Sequence, residues 1–169
     1  MNLDSRVDHL DGPLPTIRWN WDDETDILSG AMAGVRKSGG LTGTIELTDD
    51  EGSVAVVDVA GGRVQGLDIV VWPEVTEVPG LMAPEPSRDG VVILPPRPSQ
   101  PGVAAVEVDT TLSVAANPRH DLLHLRIGTK RQVEAIRVAD RLLIEVDGKG
   151  RLAGFWLLAV PFGPDEDPP

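Results

Sequence analysis

The first residues whose spacing could do chemistry are two histidines four apart, in His120-Asp121-Leu122-Leu123-His124. On a helix this spacing would put both imidazoles on one face, as a zinc site requires. Pro118 and the alternating residues that follow favour a turn and then a strand. Four strand residues span ~13 Å, too far for one ion. The pair is therefore read as an exposed turn histidine and a strand histidine facing water. Asp22, Asp23, Glu24 and Asp26 have the acidity of a calcium loop but lack its glycine and its terminal glutamate at the right spacing. A solvated turn is expected instead, with Asp26 bonding backbone N–H groups. Gly39-Gly40-Leu41-Thr42-Gly43 lacks the Gly-Lys-Ser/Thr ending and the following helix of a phosphate loop, so it reads as a loop between strands. No serine sits in a G-x-S-x-G setting. The expectation is a protein with no catalytic residue, no metal ligand and no cofactor.

Composition narrows the class further. The 169 residues are 41% hydrophobic, enough for a packed core, and contain no cysteine, which suits a reducing compartment. The first residues lack a basic stretch followed by an apolar one, and the longest apolar run, near Ala153 to Phe162, falls short of the ~20 residues that span a bilayer. A cytoplasmic protein without a membrane segment is expected. The net charge of −12 is uneven: residues 1–74 carry 14 acids and 5 bases, whereas residues 103–163 carry 7 acids and 8 bases. An acidic surface repels nucleic acid and attracts a basic protein. Asp22, Asp23 and Glu24 are the candidate partner-binding residues on this reading, and the chain is expected as a monomer or weak homo-oligomer.

The elements that must carry these residues are short. Eighteen glycines and fifteen prolines predict many turns and little or no helix. The organising stretch is Val54 to Pro73, two β-branched runs around Gly61-Gly62-Arg63, which reads as a β-hairpin. It recurs in Leu142 to Pro161. Arg63 matches Arg151, Gly66 matches Gly154 and Pro73 matches Pro161, each pair 88 residues apart. Upstream, Trp21 to Leu28 aligns with Ala116 to Leu123, which sets Asp26 against Asp121. Asp68 falls opposite Trp156 in the alignment, so Trp156 is expected to be exposed or to lie between the copies. The expected organisation is a flexible N-terminal arm over 1–15, a first β repeat over 16–73 and a second over 103–162. A proline-rich linker over 74–102 joins the repeats, with a short strand at 91–94, and an acidic tail follows over 163–169. Val103 to Ala116 reads as one long bent strand. The fold class is all-β: two units of short antiparallel strands packed with approximate two-fold symmetry, since one unit near 60 residues is marginal alone.

Both copies resemble a small bacterial domain family of unknown function, DUF2283. The residues that carry the likeness are W-D-D-E-T-D-I-L (Trp21 to Leu28) and A-N-P-R-H-D-L-L (Ala116 to Leu123), followed by VDVAGGRVQGLDIV (Val57 to Val70) and VDGKGRLAGFWLL (Val146 to Leu158). The resemblance implies a small β-rich domain, brings no known activity, and implies an antitoxin-like or partner-binding role. The functional expectation is a non-enzymatic interaction module binding a basic protein. Its alternative is a small-ligand-binding β protein with a pocket between the repeats.

Overall fold

Val54–Ala60 and Arg63–Val71 pair antiparallel through a two-residue turn, Gly61 (φ 55°) and Gly62 (φ 83°). Two consecutive positive φ angles define the turn whose twist matches that of the flanking strands, and glycine adopts them without strain. The computed structural model describes residues 3–33, 42–95 and 103–161. In chain order the strands are β1 (Arg6–Asp8), β2 (Thr16–Asp22), β3 (Ile27–Ala33), β4 (Thr42–Thr48), β5 (Val54–Ala60) and β6 (Arg63–Val71). There follow β7 (Val75–Glu77), β8 (Arg88–Asp89), β9 (Val91–Ile93) and β10 (Val103–Asp109). The last are β11 (Leu112–Ala116), β12 (Leu122–Ile127), β13 (Val133–Ala139), β14 (Leu142–Asp147) and β15 (Leu152–Leu158). The fold is all-β. Among the described residues there is no helix, and so none long and apolar enough to cross a membrane.

The strands form two sheets. One holds eight strands in the order β1-β9-β6-β5-β4-β10, with β3 also paired to β6 and β2 to β3. The other holds seven, in the order β7-β11-β12-β15-β14-β13-β8. Within them the antiparallel runs β2-β3-β6-β5-β4 and β11-β12-β15-β14-β13 have the same strand order. Register agrees as well: Leu28 faces Ile69 and Ala31 faces Gly66, as Leu123 faces Leu157 and Arg126 faces Gly154. The two runs differ at the turn. Gly61-Gly62 is replaced by a longer loop in which the Asp147 carboxylate accepts the N–H groups of Lys149 and Arg151. As a result, Asp58 faces Gly66 while Glu145, not Val146, faces Gly154.

Both sheets bury one face in a single core. Leu28, Val57, Leu67 and Ile69 from the first sheet and Leu125, Ile144, Phe155 and Leu157 from the second belong to one apolar cluster. Alternation along each strand puts these residues on one side, and neither sheet could shield them alone. Trp19 ties the two together, its indole N–H donating to the Leu158 carbonyl at 3.0 Å.

Three expected segments differ. Residues 3–8 are docked rather than a loose arm: Leu3 is buried, Leu152 N–H donates to its carbonyl, Ser5 N–H donates to Gly150, and β1 pairs with β9. Leu3 and Val7 are too sparsely spaced to register as a strand pattern, yet both find apolar neighbours. Val103 to Ala116 is two strands in different sheets. Thr110 N–H donates to Thr48 O and Leu112 N–H to the Asp49 carboxylate where the chain crosses over. The proline-rich segment is more than a spacer, because it supplies β7, β8 and the fully buried β9. The glycine loop at 34–41, the end of the linker at 96–102 and the acidic tail lie outside the described residues.

Candidate functional site

The outer face of the second sheet is partly roofed. β7 pairs with β11 at one edge and β8 with β13 at the other, so residues 78–87 run as a strap across the strands between them. The strap is pinned at its ends by Val78 N–H to Ala116 O and Ser87 N–H to Ala135 O. Leu81 and Ala83 cover a small cluster of Ala135, Leu143 and Trp156. This overturns the placement expected for Trp156. It is 7% exposed, lies on the outer face, and is not between the copies. The strap hides an aromatic ring that periodicity alone places in solvent.

Beside Trp156 stands a closed polar network. His124 stacks on the indole with ring centroids 4.1 Å apart and planes 9° from parallel. One Glu145 oxygen lies 2.6 Å from His124 Nε2, and the other accepts the Trp156 indole N–H at 3.2 Å. Both Glu145 oxygens are engaged, which fixes the His124 and Trp156 rings relative to each other. Gly154 makes the arrangement fit: a Cβ there would stand 2.6 Å from Glu145 Oε1. His124 is therefore no strand histidine facing water. His120, at φ 57° in the preceding turn, has its Nε2 3.6 Å from Glu77. Among the described residues no three His, Asp or Glu side chains converge on a metal position.

The network opens into a cavity of about 420 Å³, lined by His124, Arg126, Lys130, Glu145 and Trp156 and walled by Leu81 of the strap. Arg126 Nε is buried and has no hydrogen-bond partner. Neighbouring Arg131 is fully committed, to Asp147 at 2.8 Å and to the carbonyls of Ile127, Thr129 and Leu152.

The same ladder positions in the first sheet carry different chemistry. Ser29, Asp68 and Asp58 stand where His124, Trp156 and Glu145 stand in the second. A row of side chains runs across the outer face: Glu107 faces Glu46, Glu46 faces Val56, Val56 faces Asp68, and Asp68 faces Ser29. Burial, and secondarily the charge of Asp68, pushes the Asp58 carboxyl above its ordinary range. Asp68 is raised by burial too, against hydrogen bonds from Ser29 and Gly30 that pull it down. Like charges directly opposite across strands are destabilising.

Asp22, Asp23 and Glu24 are all exposed, in the turn between β2 and β3 at one edge of this sheet. The backbone role expected of Asp26 falls to Asp22, whose carboxylate accepts Glu24 N–H at 3.0 Å. In the second copy it falls to Asn117, which accepts from Asp121 and Leu122. Asp26 instead takes a positive φ of 58° and offers its carbonyl to the Trp72 indole. Asp121 accepts from the Asn117 amide and, through its carbonyl, from Val160 N–H. Arg63 is buried at 8% in β6, whereas its counterpart Arg151 is exposed and lies 3.8 Å from Asp4. Pro73 and Pro161 follow the ends of β6 and β15. Sequence reasoning missed Asp58, Asp68, Glu46, Glu107, Arg126 and Glu145. The signal available was a polar residue at an outward position of an otherwise apolar strand.

No family model matches the chain. No curated protein matches it.

Proposed function

We propose that the protein is a non-enzymatic interaction module, a tandem pair of DUF2283-like units related by an approximate two-fold axis, whose acidic first sheet docks a basic protein in the cytoplasm. The matched strand order and register support the duplication. The observation that carries the docking role is the outward row in which Glu46 and Glu107 stand directly opposed, with Asp68 beyond Val56 in the same row and Asp58 two residues along β5 from Val56. Charge needed only for solubility would be interspersed, because opposed carboxylates cost stability. A cationic partner would relieve the repulsion. The Asp22-Asp23-Glu24 turn forms the rim of this face, and an antitoxin-like role is the form such docking takes in the proposal.

The test uses decalysine peptide as the probe and measures association rate against salt. Electrostatic attraction acts mainly on the association rate and is screened over about 8 Å at physiological ionic strength. Glu46→Gln with Glu107→Gln should slow association several-fold at low salt, and the triple neutralisation of Asp22, Asp23 and Glu24 should slow it less. A salt-independent rate removes the acidic face from the account. A loss confined to the turn variant moves the docking surface off the sheet and onto the turn.

A further inference from the structure

The cavity beside the strap holds a cation that the fold leaves unanswered. Arg126 projects outward from β12, opposite Gly154, and its Nε is buried without a hydrogen bond. The nearest acid in the cavity is Glu145, whose two oxygens are taken by His124 and Trp156. Arg131, also in the lining, is neutralised by Asp147. Among the described residues nothing else pairs with Arg126. Burying part of a guanidinium without a partner costs stability. What sets Arg126 apart is a buried Nε without a hydrogen bond at the wall of a cavity.

The surroundings specify what would close it. A guanidinium presents parallel N–H donors that match a carboxylate or phosphate oxygen pair. Lys130 at the cavity mouth adds a second positive charge, while Glu145 subtracts one. The balance suits a single negative charge and disfavours a dianion. The remaining wall is apolar, with Leu81, Ala115, Val133, Ala153 and the Trp156 ring. The volume of about 420 Å³ lies within the ~300–1,000 Å³ of small-molecule sites. We propose that this cavity binds a small organic monocarboxylate, its charged end on Arg126 and its apolar body against Trp156 and the strap. The site belongs to the second copy alone. At the equivalent positions the first sheet has Asp58, Asp68 and Ala31 in place of Glu145, Trp156 and Arg126.

The other cavities carry less. That at the tip of the second sheet, about 460 Å³, is lined by Arg131 and Asp147, which satisfy each other. In the crevice between the two sheets at Trp19 and Asp140, the Asp140 carboxylate takes Ile17 N–H and the Trp19 indole donates to Leu158, both across the sheet contact.

The experiment is calorimetric titration of the full chain at about pH 8.5 with benzoate, with benzyl alcohol as the uncharged analogue and inorganic phosphate, predominantly the dianion at that pH, as the doubly charged probe. Benzoate should bind once per chain, benzyl alcohol and phosphate at least ten-fold more weakly. Arg126→Gln should weaken benzoate ten-fold or more, the scale expected when a hydrogen bond to a charged group is lost. That variant should fold at least as stably as the parent, because it removes an unpaired cation, and its melting temperature checks this. Arg126→Lys keeps the charge without the fork and should fall between the two. Equal benzoate affinity in Arg126→Gln, tighter binding of phosphate than of benzoate, or no benzoate binding by the parent chain would each overturn the proposal.

Discussion

Gly154→Ala tests whether the His124–Glu145–Trp156 network depends on a missing side chain. The new methyl carbon would stand 2.6 Å from Glu145 Oε1 and 2.7 Å from the Leu125 carbonyl oxygen. Carbon–oxygen contacts ordinarily begin near ~3.3 Å, so both oxygens must retreat by roughly 0.6 Å. Neither retreats freely. The Leu125 carbonyl is part of the β12–β15 pairing, and Glu145 is anchored by His124 at 2.6 Å and by the Trp156 indole at 3.2 Å. Overpacking of this kind costs about 1–3 kcal/mol, and displacing Glu145 leaves a buried indole N–H unpaired, so the expected loss is about 3 kcal/mol. For a chain of this length that lowers the melting temperature by roughly 6–12 °C. Urea unfolding followed by tryptophan fluorescence gives the free energy directly. Gly148→Ala, where an added Cβ meets nothing within 4 Å, is the control and should cost no more than about 0.5 kcal/mol. Adding Glu145→Ala to Gly154→Ala removes one of the two contacts, so the two substitutions should combine less than additively. A Gly154→Ala variant as stable as the parent would refute the reasoning, because the glycine would then have no role in seating Glu145.

Two further outcomes follow from the same geometry. The Asp58 carboxyl is raised above its unfolded value of 3.8, so the folded chain holds that proton more tightly, and the contribution is favourable at low pH and lost as pH rises through the raised value. Asp58→Asn should therefore stabilise the protein at pH 7, by under about 1 kcal/mol given its partial exposure, and lose that benefit below pH 3.8; a gain of the same size at both pH values would contradict it. Trp19→Phe removes the indole bond to Leu158 that joins the two sheets and should cost about 1 kcal/mol in chemical denaturation, while the aromatic core contact stays; no loss would show that the bond contributes nothing.

Local pattern and tertiary context divided the structure between them along a physical line. Strand positions with alternating apolar residues, such as Thr16 to Trp21 and Leu122 to Ile127, were legible because side-chain direction in a strand has a period of two and the buried side must be apolar. A turn at Gly61-Gly62-Arg63 was legible because few residues tolerate positive φ, although Arg63 already belongs to β6. The shared outline of the two hairpins was legible because each has a glycine where a carboxylate comes close, Gly66 beside Asp58 and Gly154 beside Glu145. The site was not. Trp156 is buried only because a strap lies over it, and that strap comes from a proline-rich segment whose own sequence reads as a spacer. The one-residue offset that pairs Glu145 rather than Val146 with Gly154 arises from a longer turn and a bulge, which a fixed repeat spacing conceals.

The sequence by itself therefore determined the class of the fold and its regularly alternating strands, because these depend on residue type and spacing along one chain. Tertiary structure alone decided which outward-facing residues meet. Glu46 faces Glu107 only because β10 adds to β4 in parallel from the far side of the linker. Arg126 Nε is left without a hydrogen bond in a cavity whose one lining carboxylate is bonded to His124 and Trp156. Such encounters join residues distant in sequence, and no periodicity within one strand encodes them.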